Sequence, residues 1–225
     1  ASVACVLKKT FPEKDIRILE GRDIPTVGVG ESTLSSINNF LQFLNIQDKD
    51  FMKKCDASYK LSIRFENWLD KNSGSFHYPF GQPYYDEKIH NYNYWYYKKF
   101  LNPETPNTDF VDCMFPQMEL INQNKVCEKN NVFPTWNFTQ DVAYHFDATK
   151  FGILLKEKFR ELGGRILVEN IVNIQRNEDG SIKQLDLDTQ NSVKGDLYID
   201  CTGFKSLLLD KTLKEPFESY EHLLP

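Results

Sequence analysis

The first quarter of the chain carries helical and strand periodicities in turn. Residues 1–9 have the spacing of a helix, and residues 15–20 form a short apolar strand that ends in Glu20. Apolar residues then recur at helical spacing over residues 34–44, and a second short helix is predicted around residues 48–55. Because a helix, a short turn and a strand form the second half of a βαβ unit, the pattern predicts an α/β protein.

Residues 58–68 alternate strictly between apolar and polar side chains, which predicts one half-buried strand. The apolar face carries Tyr59, Leu61, Ile63 and Phe65, and the polar face carries Ser58, Lys60, Ser62, Arg64 and Glu66. On this pattern alone Lys60 is a solvent-facing lysine, as most lysines are. A catalytic lysine needs an amine held in a confined site, often with a lowered pKa, and the pattern does not show that confinement.

The stretch from Phe76 to Phe138 is rich in aromatic residues, prolines and asparagines, and it has no clean period. It is interpreted as part of an irregular, substrate-facing region inserted at about residues 70–140.

Regular structure returns at Asp147, which is a good N-cap for a helix that Gly163-Gly164 ends. This role makes Asp147 a helix cap rather than half of a catalytic or metal site with His145. Asp179-Gly180 is a hairpin signal between two of the strands that follow. The strands predicted in this part of the chain are residues 165–168, 171–175, 182–188 and 196–201.

Composition and charge exclude several classes of protein. A formal net charge of −5 with no basic stripe argues against a nucleic-acid partner, and no run of about 18 apolar residues is present to span a membrane. The five cysteines are scattered without CxxC or Cys/His spacing, which favours neither a disulfide framework nor a metal site. The sequence therefore predicts a cytoplasmic globular protein.

Three features are typical of a dinucleotide site. Glu20 ends a strand, where an acid accepts hydrogen bonds from the adenosine ribose. The loops at residues 28–32 and 200–204 each contain glycine, which lets backbone approach a flat ligand closely. Each feature alone is also compatible with a solvated strand end or an ordinary turn, and together they suit an FAD fold.

Four segments of the chain, in the order in which they occur, resemble the flavin-dependent tryptophan halogenase family. The matching segments are residues 24–33 (IPTVGVGEST), 59–68 (YKLSIRFENW), 143–148 (AYHFDA) and 200–204 (DCTGF). The resemblance extends over residues 1–225 and is weakest between 85 and 135. It implies a single halogenase domain with an α/β, three-layer Rossmann-like FAD-binding core of the flavin monooxygenase type.

The family's chemistry gives Lys60 a role. Family members use reduced FAD, oxygen and halide to generate hypohalous acid, which a lysine amine delivers to an electron-rich aromatic carbon. Lys60 stands at that position of the motif. The resemblance thus implies halogenation of tryptophan or an indole-like substrate, with reduced FAD supplied by a separate flavin reductase.

Further residues stand at positions that match functional residues of the family. Gly21, Ser32 and Ile171 match FAD contacts, with Glu20 beside the first and Gly203 in the second glycine loop.

Other matching positions concern the substrate. Glu31, which is also expected to bind the cofactor, belongs to a strap-like segment that links the flavin and substrate sites. Phe80 keeps an aromatic of the substrate pocket, whereas Tyr78 stands where tryptophan-specific members have a histidine. This departure extends the expected substrates beyond tryptophan itself.

Two family regions fall outside the chain. The glycine-rich phosphate loop would precede Ala1, and a halide-binding loop and a catalytic glutamate would follow Pro225. The chain is thus expected to be an incomplete domain that is inactive alone.

The alternatives to a halogenase are an FAD-dependent monooxygenase or reductase that shares the core, a truncated remnant without activity, and a module that only binds aromatic compounds.

Overall fold

The computed structural model describes residues 1–24, 32–84, 91–133 and 135–224. The chain divides into two compact units, which are considered separately. The first unit comprises Ala1–Pro12 and Thr26–Leu162, and the second comprises Glu13–Pro25 and Gly163–Pro225.

The first unit combines helices with two antiparallel strand pairs. Its described helices are α1 (Ser2–Thr10), α2 (Ile37–Phe43), α3 (Asp48–Lys54), α4 (Asn91–Leu101), α5 (Asp109–Met114), α6 (Met118–Asn122), α7 (Phe138–Asp141) and α8 (Ala148–Glu161). Its described strands are β2 (Ser58–Lys60), β3 (Ser62–Glu66), β4 (Ser75–Pro79) and β5 (Ala143–His145). The helices predicted at residues 1–9, 34–44 and 48–55 are confirmed, although α2 begins three residues later than its apolar pattern.

Aromatic rings form much of the core of this unit. Phe51 of α3 is fully buried and packs edge-on against Tyr144, Phe146 and Phe151, with ring centroids 5.0–5.5 Å away. Such edge-to-face pairs stabilise beyond the area they bury. The core thereby joins α3 to β5 and to the start of α8.

The single strand predicted at residues 58–68 is wrong in one respect, because it is broken at Leu61. β2 pairs with β5, whereas β3 pairs with β4. The Leu61 carbonyl accepts a hydrogen bond from the Phe80 amide at 2.9 Å, so the chain changes partner at this residue.

In its described residues, the region predicted to be irregular contains α4, α5, α6 and the start of α7 besides β4. Trp95 of α4 is buried against α5, where its indole N–H donates to Asp109 Oδ2 at 3.0 Å and its ring packs 5.2 Å from Phe110. These tertiary contacts stabilise α4 although its sequence has no amphipathic period.

The predicted boundaries of α8 are confirmed by its caps. Asp147 accepts a hydrogen bond from the Lys150 amide at 2.9 Å, which satisfies a free N–H of the first turn. Gly163 follows the helix with a φ of +85°, the left-handed conformation that commonly ends a helix.

The second unit contains a parallel strand pair and an antiparallel meander. β1 (Arg17–Glu20) pairs with β6 (Arg165–Val168) in parallel. The antiparallel meander consists of β7 (Ile171–Arg176), β8 (Ile182–Leu187) and β9 (Ser192–Val193). The hairpin at Asp179-Gly180 is confirmed, with Gly180 at a φ of +89°.

The strand predicted at residues 196–201 is not formed. A strand requires a hydrogen-bonded neighbour, and no described strand pairs with this segment. Across the described ranges, none of the helices is both long and apolar enough to cross a bilayer.

Candidate active site

The amine of Lys60 is held at the end of β2. Its Nζ donates to the Thr33 carbonyl at 3.1 Å and to Ser32 Oγ at 3.3 Å. It also lies 5.2 Å from the centre of the buried Phe80 ring, within reach of a cation–π contact. The solvent-facing lysine expected from strand alternation is therefore wrong, and the predicted residues Lys60, Ser32 and Phe80 come together.

The strand pairing explains this placement. Lys60 is paired directly with the fully buried Ala143 of β5, and directly opposed side chains lie on the same face of a sheet. β5 is also bridged to Ser32, while the Thr33 amide donates to the Tyr144 carbonyl at 2.9 Å. A residue as small as alanine leaves room for the lysine side chain to reach Thr33.

Burial lowers the pKa of Lys60 below that of an ordinary lysine. In the part of the chain that the structure describes, no carboxylate forms a salt bridge with it to reverse this shift. The site thus favours a larger fraction of uncharged amine, the nucleophilic form, at a given pH.

Phe80 is fixed through its backbone and the following glycine. The side-chain amide of Gln117, which is 2% exposed, donates to the Phe80 carbonyl at 2.5 Å. Gly81 has a φ of +91°, and a Cβ there would lie 2.6 Å from Oδ1 of the buried Asp141. Asp141 accepts a hydrogen bond from the Asn137 amide at 2.7 Å, and burial raises the pKa of its carboxyl group.

A cavity of about 400 Å³ lies beside β2, between residues 58–62 and the segment 120–126. Lys60 and Lys125 both line it. The predicted substrate residue Tyr78 is 63% exposed and is the strand partner of Ile63 on β3. It does not line this cavity.

Three predicted cofactor residues meet in the second unit. Glu20 ends β1, and its carbonyl accepts a hydrogen bond from the Glu169 amide at 2.9 Å. A Cβ on the adjacent Gly21 would lie 3.0 Å from Asn170 Oδ1, and Ile171 follows as the first residue of β7. An acid at the end of a parallel strand beside a closely packed glycine fits the ribose side of a dinucleotide.

The loop containing Gly203 is organised by Asp200. One carboxylate oxygen accepts from the Thr202 amide and hydroxyl at 2.9 and 2.6 Å, and the other accepts from the amides of Leu208 and Leu209 at 2.8 and 3.2 Å. Gly203 has a φ of +62°, and among the described residues no atom beyond its chain neighbours lies within 4 Å of the position of a Cβ. This open space beside the backbone fits a flat ring.

Sequence patterns did not find every residue of these sites. Gln117 and Asp141 were missed because they lie in or beside an aperiodic region. The residues that they contact, Phe80 and Gly81, are distant in sequence. Asn170, in the two-residue gap between β6 and β7, could have been suspected as a turn residue. Glu31 and the glycines at 28 and 30 lie outside the described residues.

Comparison with known proteins places these features in one class. Residues 2–225 match the tryptophan halogenase family. Tryptophan 7-halogenase RebH from Lentzea aerocolonigenes is 31% identical over 93% of this chain and 41% of its own length. The 7-chloro-L-tryptophan 6-halogenase KtzR from Kutzneria sp. (strain 744) is 32% identical over 99% of this chain and 46% of its own length.

Solved structures agree with this match. The apo structure of VirX1 superposes with a TM-score of 0.86 at 34% identity, covering 98% of this chain and 43% of that one. Tar14, a tryptophan C-6 flavin-dependent halogenase from taromycin biosynthesis, gives a TM-score of 0.82 at 32% identity, covering all of this chain and 44% of that one.

The fold defines an α/β protein of the FAD-binding, Rossmann-like class, which confirms the predicted fold class. The chain belongs to the tryptophan halogenase family, as the resemblance implied. It spans less than half the length of the relatives it matches.

Proposed function

We propose that the protein containing this chain is a flavin-dependent halogenase of an electron-rich aromatic compound, either tryptophan or another indole. The observation that carries the proposal is the amine of Lys60, held against Thr33 and the Phe80 ring within a family-specific segment. Among the described residues no carboxylate forms a salt bridge with Lys60, so a structural ion pair does not explain it there. A half-buried amine beside an aromatic ring suits delivery of an electrophile.

Lys60 has two ways to deliver the halogen. The protonated amine can donate a hydrogen bond to hypohalous acid and orient it. The uncharged amine can instead attack the halogen, which forms an N–halogen bond and releases water. Transfer to the aromatic carbon then replaces a ring proton by halogen and regenerates the amine. Both routes gain rate from orientation, because the electrophile is presented to one carbon.

The cofactor is assigned to residues that match FAD contacts of the family or lie beside them. The residues that would bind FAD are Glu20, Gly21, Glu31, Ser32, Ile171 and Gly203. When bound in its reduced form, with oxygen and halide, FAD supplies the hypohalous acid.

The substrate side and the cellular setting follow from the same proposal. Phe80 and Tyr78 would contact the aromatic substrate, and Glu31 would lie in the segment linking the two sites. A separate flavin reductase would supply reduced FAD. A cytoplasmic location would suit both this supply and the five cysteines, which are unpaired.

The test is a change of halide with the full-length protein. Reduced FAD, oxygen and an indole are supplied with chloride or with bromide, and the product is analysed by mass spectrometry. We expect the product mass and isotope pattern to follow the halide. A product that gains oxygen in either salt would establish a monooxygenase and refute the proposal.

A further inference from the structure

One carboxylate joins the two strands that carry the candidate active site. Tyr59 of β2 donates its hydroxyl hydrogen to Asp48 Oδ2 at 2.8 Å, and its oxygen lies 3.3 Å from Glu128 Oε1. Tyr144 of β5 donates to the other oxygen, Asp48 Oδ1. Asp48 is the first residue of α3, so it fixes both strands to this helix.

The two tyrosines occupy the pair next to Lys60 in the strand register. Tyr59 is paired with Tyr144, and Lys60 is paired with Ala143. The tyrosine rings lie on the opposite face of the sheet from the lysine, because successive side chains alternate. A shift of either tyrosine would therefore move the backbone from which Lys60 extends.

The two tyrosine hydroxyls lie in a partly buried cluster and remain protonated. Tyr144 is 1% exposed, and Phe51 packs edge-on against its ring at 5.0 Å. Burial, followed by the hydrogen bond to Asp48, raises the pKa of both Tyr59 and Tyr144 above the ordinary value. Both hydroxyls therefore act as donors across the physiological range, and charge-assisted bonds of this kind are the stronger ones.

A second polar side chain fixes the far side of β5. Asn38 of α2 is buried, and its oxygen lies 3.0 Å from the Tyr144 hydroxyl. Its amide donates to the carbonyl groups of Val142 and Thr139 at 2.7 and 2.9 Å. Val142 directly precedes Ala143, so the strand opposite Lys60 is held at both its side chains and its backbone.

We propose that Asp48 is a positioning residue that sets how much hypohalous acid Lys60 captures and transfers to substrate. This inference rests on the proposed halogenase function. Asp48 acts through Tyr59 and Tyr144 and touches neither substrate nor cofactor. Its carboxylate fixes the positions of β2 and β5 against α3. The Lys60 amine thereby stays beside the Thr33 carbonyl and the Phe80 ring.

The consequence of losing this anchor is specific. Asp48→Asn replaces one acceptor oxygen by an N–H₂ donor. One tyrosine hydroxyl then loses its carboxylate acceptor and turns its hydrogen to Glu128 or Asn38, which weakens its hold on α3. A displacement of the amine by about 1 Å is enough to lower the rate of an oriented transfer about 100-fold. Production of hypohalous acid does not use Lys60, so the oxidant would still form and would escape.

The experiment measures this escape in the full-length protein. Reduced FAD, oxygen, bromide and indole are supplied together with a soluble thioether. Escaped hypohalous acid converts the thioether to its sulfoxide and is itself reduced to halide. Halogenated indole and sulfoxide are both counted per flavin oxidised, for the wild type, Asp48→Asn and Tyr59→Phe.

The matched control is Asp109→Asn. Asp109 also accepts hydrogen bonds from several side chains, those of Trp95, Lys98 and Cys113, but these partners belong to α4 and α5 and not to β2 or β5. We expect Asp48→Asn to lower halogenated indole per flavin at least tenfold and to raise sulfoxide correspondingly. Tyr59→Phe should give a smaller change in the same direction, and Asp109→Asn should keep the wild-type ratio.

Different experimental results would refute the role of Asp48 and the proposed halogenase function. Wild-type coupling in both Asp48→Asn and Tyr59→Phe would overturn the role of Asp48 while leaving the halogenase intact. An equal loss of coupling in Asp109→Asn would also overturn it, because the effect would then be general destabilisation. A wild-type protein that makes neither halogenated indole nor halide-dependent sulfoxide would refute the proposed function itself.

Discussion

Gly81 provides a test of how the Phe80 ring is fixed, because its conformation and its surroundings both exclude a side chain. The perturbation is Gly81→Ala. Its φ of +91° is a conformation that costs an L-residue about 1–2 kcal/mol. The added methyl would also lie 2.6 Å from Asp141 Oδ1 and 2.7 Å from its Cγ, and overpacking of this kind costs about 1–3 kcal/mol. The combined loss is about 2–5 kcal/mol.

Gly74 is a matched control, because it directly precedes β4 and Gly81 lies just after the end of the same strand. It has a φ of +75°, but in the part of the chain that the structure describes no atom beyond its chain neighbours lies within 4 Å of the position of its Cβ. Gly74→Ala therefore has the backbone cost alone, about 1–2 kcal/mol. The difference between the two variants isolates the contact with Asp141.

Amide hydrogen exchange in the full-length protein is the appropriate assay, since it reports local stability. Peptides covering Phe80 should exchange faster in Gly81→Ala than in Gly74→Ala by a factor of about 10, which corresponds to roughly 1.4 kcal/mol. Equal exchange at Phe80 in the two variants would show that Asp141 does not restrain the turn, and the account of Phe80 positioning would be wrong.

Two further predictions concern the amine and the cofactor loop. Phe80→Ala should admit water to Lys60 and raise the pKa of its amine towards the ordinary value. Modification of Lys60 by an amine reagent, measured by peptide mass spectrometry, should then require a higher pH than in the wild type. An unchanged pH profile would contradict burial as the cause of the lowered pKa. Asp200→Asn should place an N–H₂ group against the amide donors of Leu208 and Leu209, at a cost of about 2 kcal/mol, and weaken FAD binding in a flavin titration. Burial acts to raise the pKa of Asp200, but its hydrogen bonds outweigh this and lower it. The stabilisation of the folded state by the Asp200 carboxylate should therefore be complete above the unfolded pKa of about 3.9, and it should be lost as pH falls through the lower pKa of the folded state. Asp200→Asn with the same acid sensitivity as the wild type would contradict this prediction.

Sequence patterns predicted the local elements more fully than the contacts between them. The caps of α8 and the hairpin at Gly180 follow from rules that act within a few residues. The break at Leu61 depends instead on Phe80 and on Ala143, which are distant in sequence. Alternation over residues 58–68 therefore predicted strand structure correctly and the environment of Lys60 incorrectly.

The same limit applies to the candidate site. Lys60, Ser32 and Phe80 were named through the family resemblance, and the structure brings them together. The residues that hold them, such as Asp48 and Gln117, have ordinary local patterns. Their importance arises from buried hydrogen bonds across long sequence separations, which no local period encodes.

In the proposed function, the amine of Lys60 delivers the halogen. The most direct measurement compares Lys60→Ala with Lys125→Ala in the full-length protein, because both lysines line the cavity beside β2. Halogenated indole formed per flavin oxidised is measured by mass spectrometry under the same supply of reduced FAD, oxygen and halide. We expect Lys60→Ala to oxidise flavin at the wild-type rate without forming halogenated product, and Lys125→Ala to remain coupled. Wild-type halogenation by Lys60→Ala would contradict the claim.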